Sequence, residues 1–190
     1  MIILASGSPR RRQLIEMLGM EFRVVAPNVD ESLRAAEQPE EYVTRLAREK
    51  ARTVAAREQG SVVLAADTTV VLRGRVFAKP GTPEEAADML RRLQGRKHQV
   101  LTAVAVARDG RLEHALDVTD VTFRRLSTQQ ISEYVATGEP LDKAGAYAIQ
   151  GKGAALVEGI HGDFFGVMGL PLRLALDLLA RFGLPYRFTR

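Results

Sequence analysis

The chain has 190 residues, of which 46% are hydrophobic and 26% charged, and its 27 lysines and arginines exceed its 23 acidic residues by four. This composition is typical of a globular protein with one large domain or two small lobes, and it excludes disordered and fibrous chains. The absence of cysteine excludes disulfides, thiolate metal centres and a cysteine nucleophile. Because no apolar run approaches the roughly 18 residues of a membrane span, and no basic signal segment precedes residues 2–4, a cytoplasmic protein is expected.

The N-terminal part of the chain predicts alternating strands and helices. Apolar residues 2–4 predict a first strand, and Ser8 followed by Pro9 predicts the N-cap and first turn of a helix that Gly19 ends. The further elements predicted here are a strand at residues 22–25, a helix from Pro39 to Gly60, a strand at residues 61–72, a turn at residues 73–75 and a returning strand at residues 76–78.

The C-terminal part contains two predicted capping boxes and a second hairpin. Thr82 and Glu85 enclose Pro83 at the start of a helix, and Asp109-Gly110 predicts a tight turn between two strands. Because two hairpins interrupt the alternation of strands and helices, the pattern predicts an α/β fold with a mixed sheet. The other elements are strands at residues 99–107 and 112–123, a helix opened by Ser127 and Gln130, a glycine-rich region at residues 142–162, a helix from Pro171 and a strand at residues 184–188.

Residues 6–11, Ser-Gly-Ser-Pro-Arg-Arg, form a candidate anion site at the first strand-to-helix turn. Such a turn directs free backbone N–H groups and the positive end of a helix towards one point. Arg10 and Arg11 can add bidentate contacts to phosphate oxygens. The segment matches neither GxxxxGK[ST] nor GxGxxG, so no named phosphate loop applies. The alternative is an ordinary capped helix with solvated arginines.

Three carboxylates are candidates for catalysis or metal binding. Asp67 lies inside the apolar strand of residues 61–72, where a carboxylate is costly to bury unless it is paired or bound to a metal. Asp30 and Glu31 lie in a polar loop, and carboxylates close to phosphate suit a hard cation such as Mg²⁺. Each has a structural alternative, since Asp67 can cap a turn and the loop acids can simply be solvated.

Two lysines and a glycine-rich segment complete the candidate residues. Lys50 on the long helix and Lys79 after a strand can each neutralise a phosphate, or each can be an ordinary solvated lysine. The glycines within residues 142–153 indicate tight turns or a close approach of the backbone to a ligand. Gln150 in this segment offers a donor and an acceptor that suit the edge of a base. The alternative is a plain glycine-rich hairpin.

Taken in order along the chain, these segments resemble the Maf family of nucleoside triphosphate pyrophosphatases, first named as septum-formation inhibitors. Residues 148–153, Ala-Ile-Gln-Gly-Lys-Gly, resemble the branch that acts on dTTP and UTP rather than the branch that acts on 7-methyl-GTP. One departure is Gly166, where the family commonly has asparagine. The resemblance covers nearly the whole chain, and the matching segments are residues 6–11, 30–31, 46–51, 66–68, 79–80, 142–147 and 169–172.

The resemblance implies a Maf/ITPase-like α/β fold, in which a long curved mixed sheet is flanked by helices and two lobes surround a cleft, within a single domain of residues 1–190. It implies hydrolysis of dTTP and UTP, or of modified pyrimidine nucleotides, to the monophosphate and pyrophosphate. The partner is then a small-molecule nucleotide and the cofactor a divalent cation, Mg²⁺ or Mn²⁺. Dispersed arginines disfavour nucleic acid, and a homodimer is left open.

The resemblance also implies roles for individual residues. It makes Asp67 the general base or a metal ligand, with Glu31 as a second ligand. The candidates for phosphate binding are Ser8, Arg10, Arg11, Lys50 and Lys79. The candidates for substrate specificity are Arg10, Thr68 and Gln150. The alternative function is a non-catalytic regulator of septum formation that binds nucleotide or nucleic acid.

Overall fold

A computed structural model of the chain, which describes residues 1–188, contains one mixed sheet of seven strands in that part of the chain. The strands are β1 (Ile2–Ala5), β2 (Phe22–Val24), β3 (Val62–Leu72), β4 (Arg75–Phe77), β5 (Lys97–Arg108), β6 (Arg111–Phe123) and β7 (Val157–His161). Their order is β2-β1-β3-β5-β6-β7, and β4 pairs with β3 outside this path. Strand β1 is parallel to β2 and β3, whereas β4 and β7 are antiparallel to their partners. The predicted α/β fold with a mixed sheet is therefore confirmed.

The helices are α1 (Pro9–Met17), α2 (Pro39–Ala55), α3 (Pro83–Leu93), α4 (Thr128–Ala136), α5 (Phe164–Met168) and α6 (Leu172–Arg181). Helices α1, α3 and α4 begin where the sequence predicts them, because a serine or threonine hydroxyl caps the first turn of each. The hydroxyl of Ser127 accepts a hydrogen bond from the Gln130 N–H, and the Gln130 side chain accepts one in return. At α3 only half of the predicted capping box forms. The Thr82 hydroxyl accepts from the Glu85 N–H, but the Glu85 carboxylate accepts from the Gly81 N–H at 2.7 Å instead of from the Thr82 N–H. None of these helices is long and apolar enough to cross a membrane.

The residues form two compact units. The first comprises Met1–Asp67, Thr102–Asp117 and the chain from Gly169 onward. Its core contains β1, whose four residues are all buried, and the apolar stripe of α2. Leu46 in this stripe is 1% exposed, so Leu46→Ala would cost about 2–5 kcal/mol of unfolding free energy. Lys50 lies on the same buried face of α2, which is the first sign of a functional site.

The second unit comprises Thr68–Leu101 and Val118–Met168. Its core contains an aromatic cluster in which Phe123 contacts His98 and Tyr147 edge to face, at ring-centroid distances of 4.8 and 4.6 Å. Gly145 has a φ of +68°, and a Cβ there would lie 2.8 Å from the Val70 side chain. Only glycine therefore allows this turn to pack against β3.

The chain after α6 differs from the prediction, since residues 184–188 do not form a strand. The N–H of Leu184 donates instead to the Leu179 carbonyl, and Gly183 takes a φ of +83°, so the segment begins by capping α6. Pro185 then removes one backbone donor from the segment. Strand β7 and helix α5 carried no sequence signal, because β7 is largely exposed and lacks apolar alternation and α5 has only five residues.

The buried imidazole of His98 makes stability depend on pH. His98 is 2% exposed, its Nε2 lies 2.9 Å from the Tyr147 hydroxyl, and burial lowers its pKa to about 4. In the unfolded chain a histidine has a pKa of about 6.5, so the unfolded state binds the proton first. We expect this group to contribute about 3 kcal/mol of unfolding free energy above pH 6.5, lost progressively as the pH falls towards 4.

Urea unfolding between pH 4 and 8 checks this expectation. The pH dependence of the unfolding free energy should be shallower in His98→Gln than in the wild-type protein over this range. It should stay unchanged in the control variant Met17→Leu, which alters an exposed side chain that carries no titratable group. Equal slopes in wild type and His98→Gln would show that the imidazole does not titrate as described.

Candidate active site

The turn between β1 and α1 is built as the sequence predicts. Ser8 is the N-cap of α1, with its hydroxyl 3.5 Å from the Arg11 N–H, and its own N–H donates to the buried Ser6 hydroxyl at 3.1 Å. Helix α1 has no acidic residue in its first turn, so its positive end is not neutralised locally. Arg10, two residues into the helix, is half-buried. The turn is thus both a capped helix start and a suitable place for an anion.

The guanidinium of Arg11 is held beside this turn by the backbone. Its Nε donates to the Gly169 carbonyl at 2.8 Å, and one terminal nitrogen lies 3.5 Å from the Ser6 hydroxyl. Burial lowers the pKa of Arg11, while the negative charges of Asp67 and Glu31 oppose this shift. Arg11 therefore lies within the electrostatic field of both candidate carboxylates and remains a cation at neutral pH.

Lys50 connects the two candidate carboxylates. Its Nζ lies 2.6 Å from Oε1 of Glu31 and 2.6 Å from Oδ1 of Asp67. Lys50 is 5% exposed and Asp67 7% exposed, whereas the Glu31 side chain is half exposed. Three residues that sequence reasoning selected from a loop, a helix and a strand thus meet at one ammonium group. Lys50 and Asp67 are buried and paired rather than solvated, whereas Glu31 is paired and half exposed.

The pairing of the strands explains why Asp67 is close to the turn. Ala5, the last residue of β1, pairs with Ala65 of the parallel strand β3. Asp67 therefore lies beyond the end of β1, at the edge of the sheet where the chain leaves β1 for residues 6–8. Carboxyl ends of parallel strands commonly collect ligand-binding groups at one edge in this way.

The charge state of Asp67 reflects opposing influences. Burial raises the pKa of this carboxyl group, whereas the cations of Lys50 and Arg11 and the hydrogen bond from Lys50 lower it. The net direction is upward from the ordinary value for aspartate. A carboxylate with increased proton affinity is suited to accept a proton near neutral pH.

The loop that carries Glu31 is fixed to α2 by two side chains that sequence reasoning did not select. The Tyr42 hydroxyl donates to the Glu31 carbonyl at 2.9 Å, and burial raises the pKa of Tyr42 to about 12. The guanidinium of Arg45 donates to Glu37 at 2.6 and 2.8 Å and to the Ser32 carbonyl. These residues had no distinguishing signal, because Tyr42 resembles any core residue and the Arg45–Glu37 spacing is not that of a helical pair.

Asp30 has a different role from its neighbour Glu31. Its carboxylate accepts hydrogen bonds from the N–H and the hydroxyl of Ser32, both at 2.9 Å. These bonds lower the pKa of Asp30. Asp30 thus stabilises the local turn. It is also exposed, in line with the alternative of a solvated loop acid.

The other candidates belong to the second unit. Thr68 follows Asp67 on β3, while Lys79 and Gln150 are exposed. The backbone next to Lys79 is fixed by a hydrogen bond, in which the Ala78 carbonyl accepts from the Gly145 N–H at 3.2 Å. Gly166, where the sequence departs from the family pattern, lies in α5 and donates to Asp163 at 3.0 Å.

The carboxylate oxygens of Glu31 and Asp67 are ligands of the kind that a divalent cation shared with a phosphate requires. Among residues 1–188, no three histidine, aspartate or glutamate side chains cluster as metal ligands. Glu31 and Asp67 nevertheless converge on the single point that the Lys50 ammonium now fills. Two carboxylates supply only part of the oxygen shell of Mg²⁺ or Mn²⁺, and phosphate oxygens commonly supply more of it.

Comparison with known proteins adds independent findings. The chain matches the model of the family described as Maf-like protein over residues 1–182. A dTTP/UTP pyrophosphatase of Myxococcus xanthus is 55% identical over 97% of this chain and 94% of its own length. A protein of the same name from Symbiobacterium thermophilum is 51% identical over 97% and 95% of the two chains. The Staphylococcus aureus Ham1 structure shares the fold, with a TM-score of 0.52 and 15% identity over 95% of this chain and 96% of that chain.

Proposed function

This chain belongs to the Maf-like protein family, and on that premise we propose that it hydrolyses dTTP and UTP to the monophosphate and pyrophosphate. The observation that carries the proposal is the meeting of Glu31 and Asp67 at the Lys50 ammonium, beside the capped turn of α1. Such a site combines cations that can hold phosphates with a carboxylate that can take a proton. The relatives named as dTTP/UTP pyrophosphatases favour this enzyme over a non-catalytic regulator of septum formation.

Phosphate binding is assigned to the cations and to the turn of residues 6–8. Arg11 is already oriented by the Gly169 carbonyl, so little side-chain entropy is lost when a phosphate binds. The Ser8 hydroxyl and the Arg10 N–H offer neutral donors, since Pro9 has no N–H and the Arg11 N–H lies against the Ser8 hydroxyl. The proposed phosphate-binding residues are Ser8, Arg10, Arg11, Lys50 and Lys79.

Asp67 is proposed as the general base. Water attacks the α-phosphorus, its proton passes to the Asp67 carboxylate, and the bond from the α-phosphorus to the α–β bridging oxygen breaks as pyrophosphate leaves. Negative charge grows on the leaving pyrophosphate, where Lys50 and the arginines can stabilise it. Glu31 and Asp67 would also hold a divalent cation, Mg²⁺ or Mn²⁺, which when bound polarises the phosphoryl group.

Base selection is assigned to Arg10, Thr68 and Gln150. The Gln150 amide can donate to a pyrimidine carbonyl and accept from the ring N3–H of thymine or uracil. The partner is a small-molecule nucleotide, including modified pyrimidine nucleotides. A cytoplasmic location and a homodimer stay predictions.

Replacing Asp67 by asparagine should lower kcat for dTTP by about 10²–10⁴-fold, because the amide keeps the size of the side chain but cannot accept the proton. Pyrophosphate release with Mg²⁺ measures the rate, and circular dichroism verifies the fold. The control is Asp88→Asn, since Asp88 forms only a surface pair with Arg92. Near-normal turnover by folded Asp67→Asn would remove Asp67 from the mechanism.

Hydrolysis of dTTP in ¹⁸O-labelled water should place the label in dTMP and leave pyrophosphate unlabelled, because the proposed attack is on the α-phosphorus. Mass spectrometry of the products measures this directly. Labelled pyrophosphate would mean attack on the β-phosphorus. The formation of dTDP and orthophosphate would contradict the proposed function itself.

Replacing Gln150 by alanine should lower the kcat/KM preference for dTTP and UTP over purine triphosphates by about tenfold or more, because a selective hydrogen-bonded pair is lost. Lys79→Ala should slow all substrates alike, because every triphosphate carries the same phosphates. Steady-state kinetics on the four deoxynucleoside triphosphates and UTP compare the two variants. An equal slowing of every substrate by Gln150→Ala would sink the base-reading assignment.

A further inference from the structure

One carboxylate in the second unit accepts hydrogen bonds from both a side chain and the glycine-rich segment. Oε1 of Glu139 lies 2.9 Å from the Tyr134 hydroxyl and 2.9 Å from the Gly153 N–H. Oε2 of the same residue lies 3.1 Å from the Lys152 N–H. All three donors are neutral and two are backbone N–H groups, so this carboxylate holds backbone, while the nearby Lys143 ammonium donates to the Glu139 carbonyl at 2.8 Å.

The Tyr134 hydroxyl extends these contacts to the other side of Gln150. It donates to Glu139 and also accepts from the Ala148 N–H at 3.2 Å. The backbone before Gln150 is thus held at Ala148, and the backbone after it at Lys152 and Gly153. The Gln150 side chain is exposed and makes no hydrogen bond to any other described residue.

At positions 151 and 153 the backbone packs too closely for any residue with a Cβ. Gly151 has a φ of +69°, and a Cβ there would lie 2.7 Å from Oε2 of Glu139. A Cβ at Gly153 would lie 2.2 Å from the Ala148 carbonyl and 2.6 Å from the Tyr134 hydroxyl. The two glycines therefore let the backbone of residues 148–153 approach the Tyr134–Glu139 pair closely.

The charge on Glu139 is part of this arrangement. Burial raises the pKa of the carboxyl group, but the hydrogen bonds from Gly153, Tyr134 and Lys152 lower it, and the net shift is downward. The group is therefore ionised at neutral pH, with both oxygens able to accept. A glutamine amide offers only one acceptor oxygen and would direct its NH₂ group towards a donor.

We propose that Glu139, acting with Tyr134, is a positioning residue for base selection, which holds residues 148–153 so that the Gln150 amide meets the pyrimidine at a fixed place. The inference rests on the proposed function. Hydrogen-bonded discrimination requires groups held within about 0.5 Å, and an exposed loop side chain gains that precision only from its backbone. Glu139 contacts none of the residues assigned to phosphate binding in the described contacts, so its loss should affect selectivity rather than the common phosphate chemistry.

The first test measures the backbone directly by hydrogen exchange. We expect the Lys152 and Gly153 amides to exchange at least about tenfold faster in Glu139→Gln and faster still in Glu139→Ala, since these variants remove one or both acceptor oxygens. The matched control is Glu133→Gln, because Glu133 is an exposed residue of α4 that accepts only from Gln129. Unchanged exchange in both Glu139 variants would overturn the proposal.

The second test compares kcat/KM for dTTP with that for dATP and dGTP. In Glu139→Gln the preference for dTTP should fall about tenfold, while the purine triphosphates keep rates within about twofold of wild type. Equal slowing of every substrate, or full preference despite faster exchange, would overturn the positioning role. Tyr134→Phe provides a second variant if Glu139→Ala does not fold, because it removes the hydroxyl that joins Glu139 to Ala148 and keeps the ring.

The proposed function and the positioning role of Glu139 can be refuted separately. Wild-type protein that releases no pyrophosphate from dTTP would refute the proposed function, and the inference with it. Wild-type protein that prefers dTTP, together with a Glu139→Gln variant of unchanged preference, would refute the inference alone.

Discussion

The site depends on an ammonium group buried between two carboxylates. Lys50 lies one helical turn from Leu46 and one from Val54, and all three belong to the buried face of α2. Removing a lysine and an aspartate from water costs several kcal/mol per ion, which close partners only partly offset. An apolar side chain at position 50, like those on either side, would serve a stable core better. The buried Lys50–Asp67 pair costs the fold stability, as functional sites commonly do, which agrees with the role proposed for it.

The same pair determines how basic Asp67 can be. Burial raises its pKa, and the nearby cations Lys50 and Arg11 act in the opposite direction. In the proposed reaction, the incoming triphosphate competes with Asp67 for those two cations, because its total negative charge exceeds that of one carboxylate. Each cation drawn to phosphate lowers its stabilisation of the Asp67 anion. Substrate binding thus increases the proton affinity of the group that must take a proton from water, and couples the two events.

Local chemistry made much of the fold predictable, and long-range contacts account for what was missed. Ser8 and Ser127 mark helix starts because a hydroxyl N-cap acts within one turn. Asp67 stood out because a carboxylate in an apolar strand needs a partner. Its partner Lys50 could not be read from the sequence, because it lies 17 residues away on α2 and the contact depends on how that helix packs. Glu139 likewise had no signal, since its donors are backbone N–H groups that any residue type supplies.

In the proposed function, the catalytic base and the base-reading amide come from different kinds of structure. Asp67, Lys50 and Arg11 lie on strand β3, helix α2 and helix α1, at residues that belong to the first unit. Gln150 comes from a glycine-rich segment of 3₁₀ turns in the second unit, held by one carboxylate and one hydroxyl. All nucleoside triphosphates share the phosphates and differ only in the base. If Gln150 reads the base as proposed, a change within residues 148–153 alters the preferred base and leaves the phosphate chemistry of Asp67 and Arg11 in place.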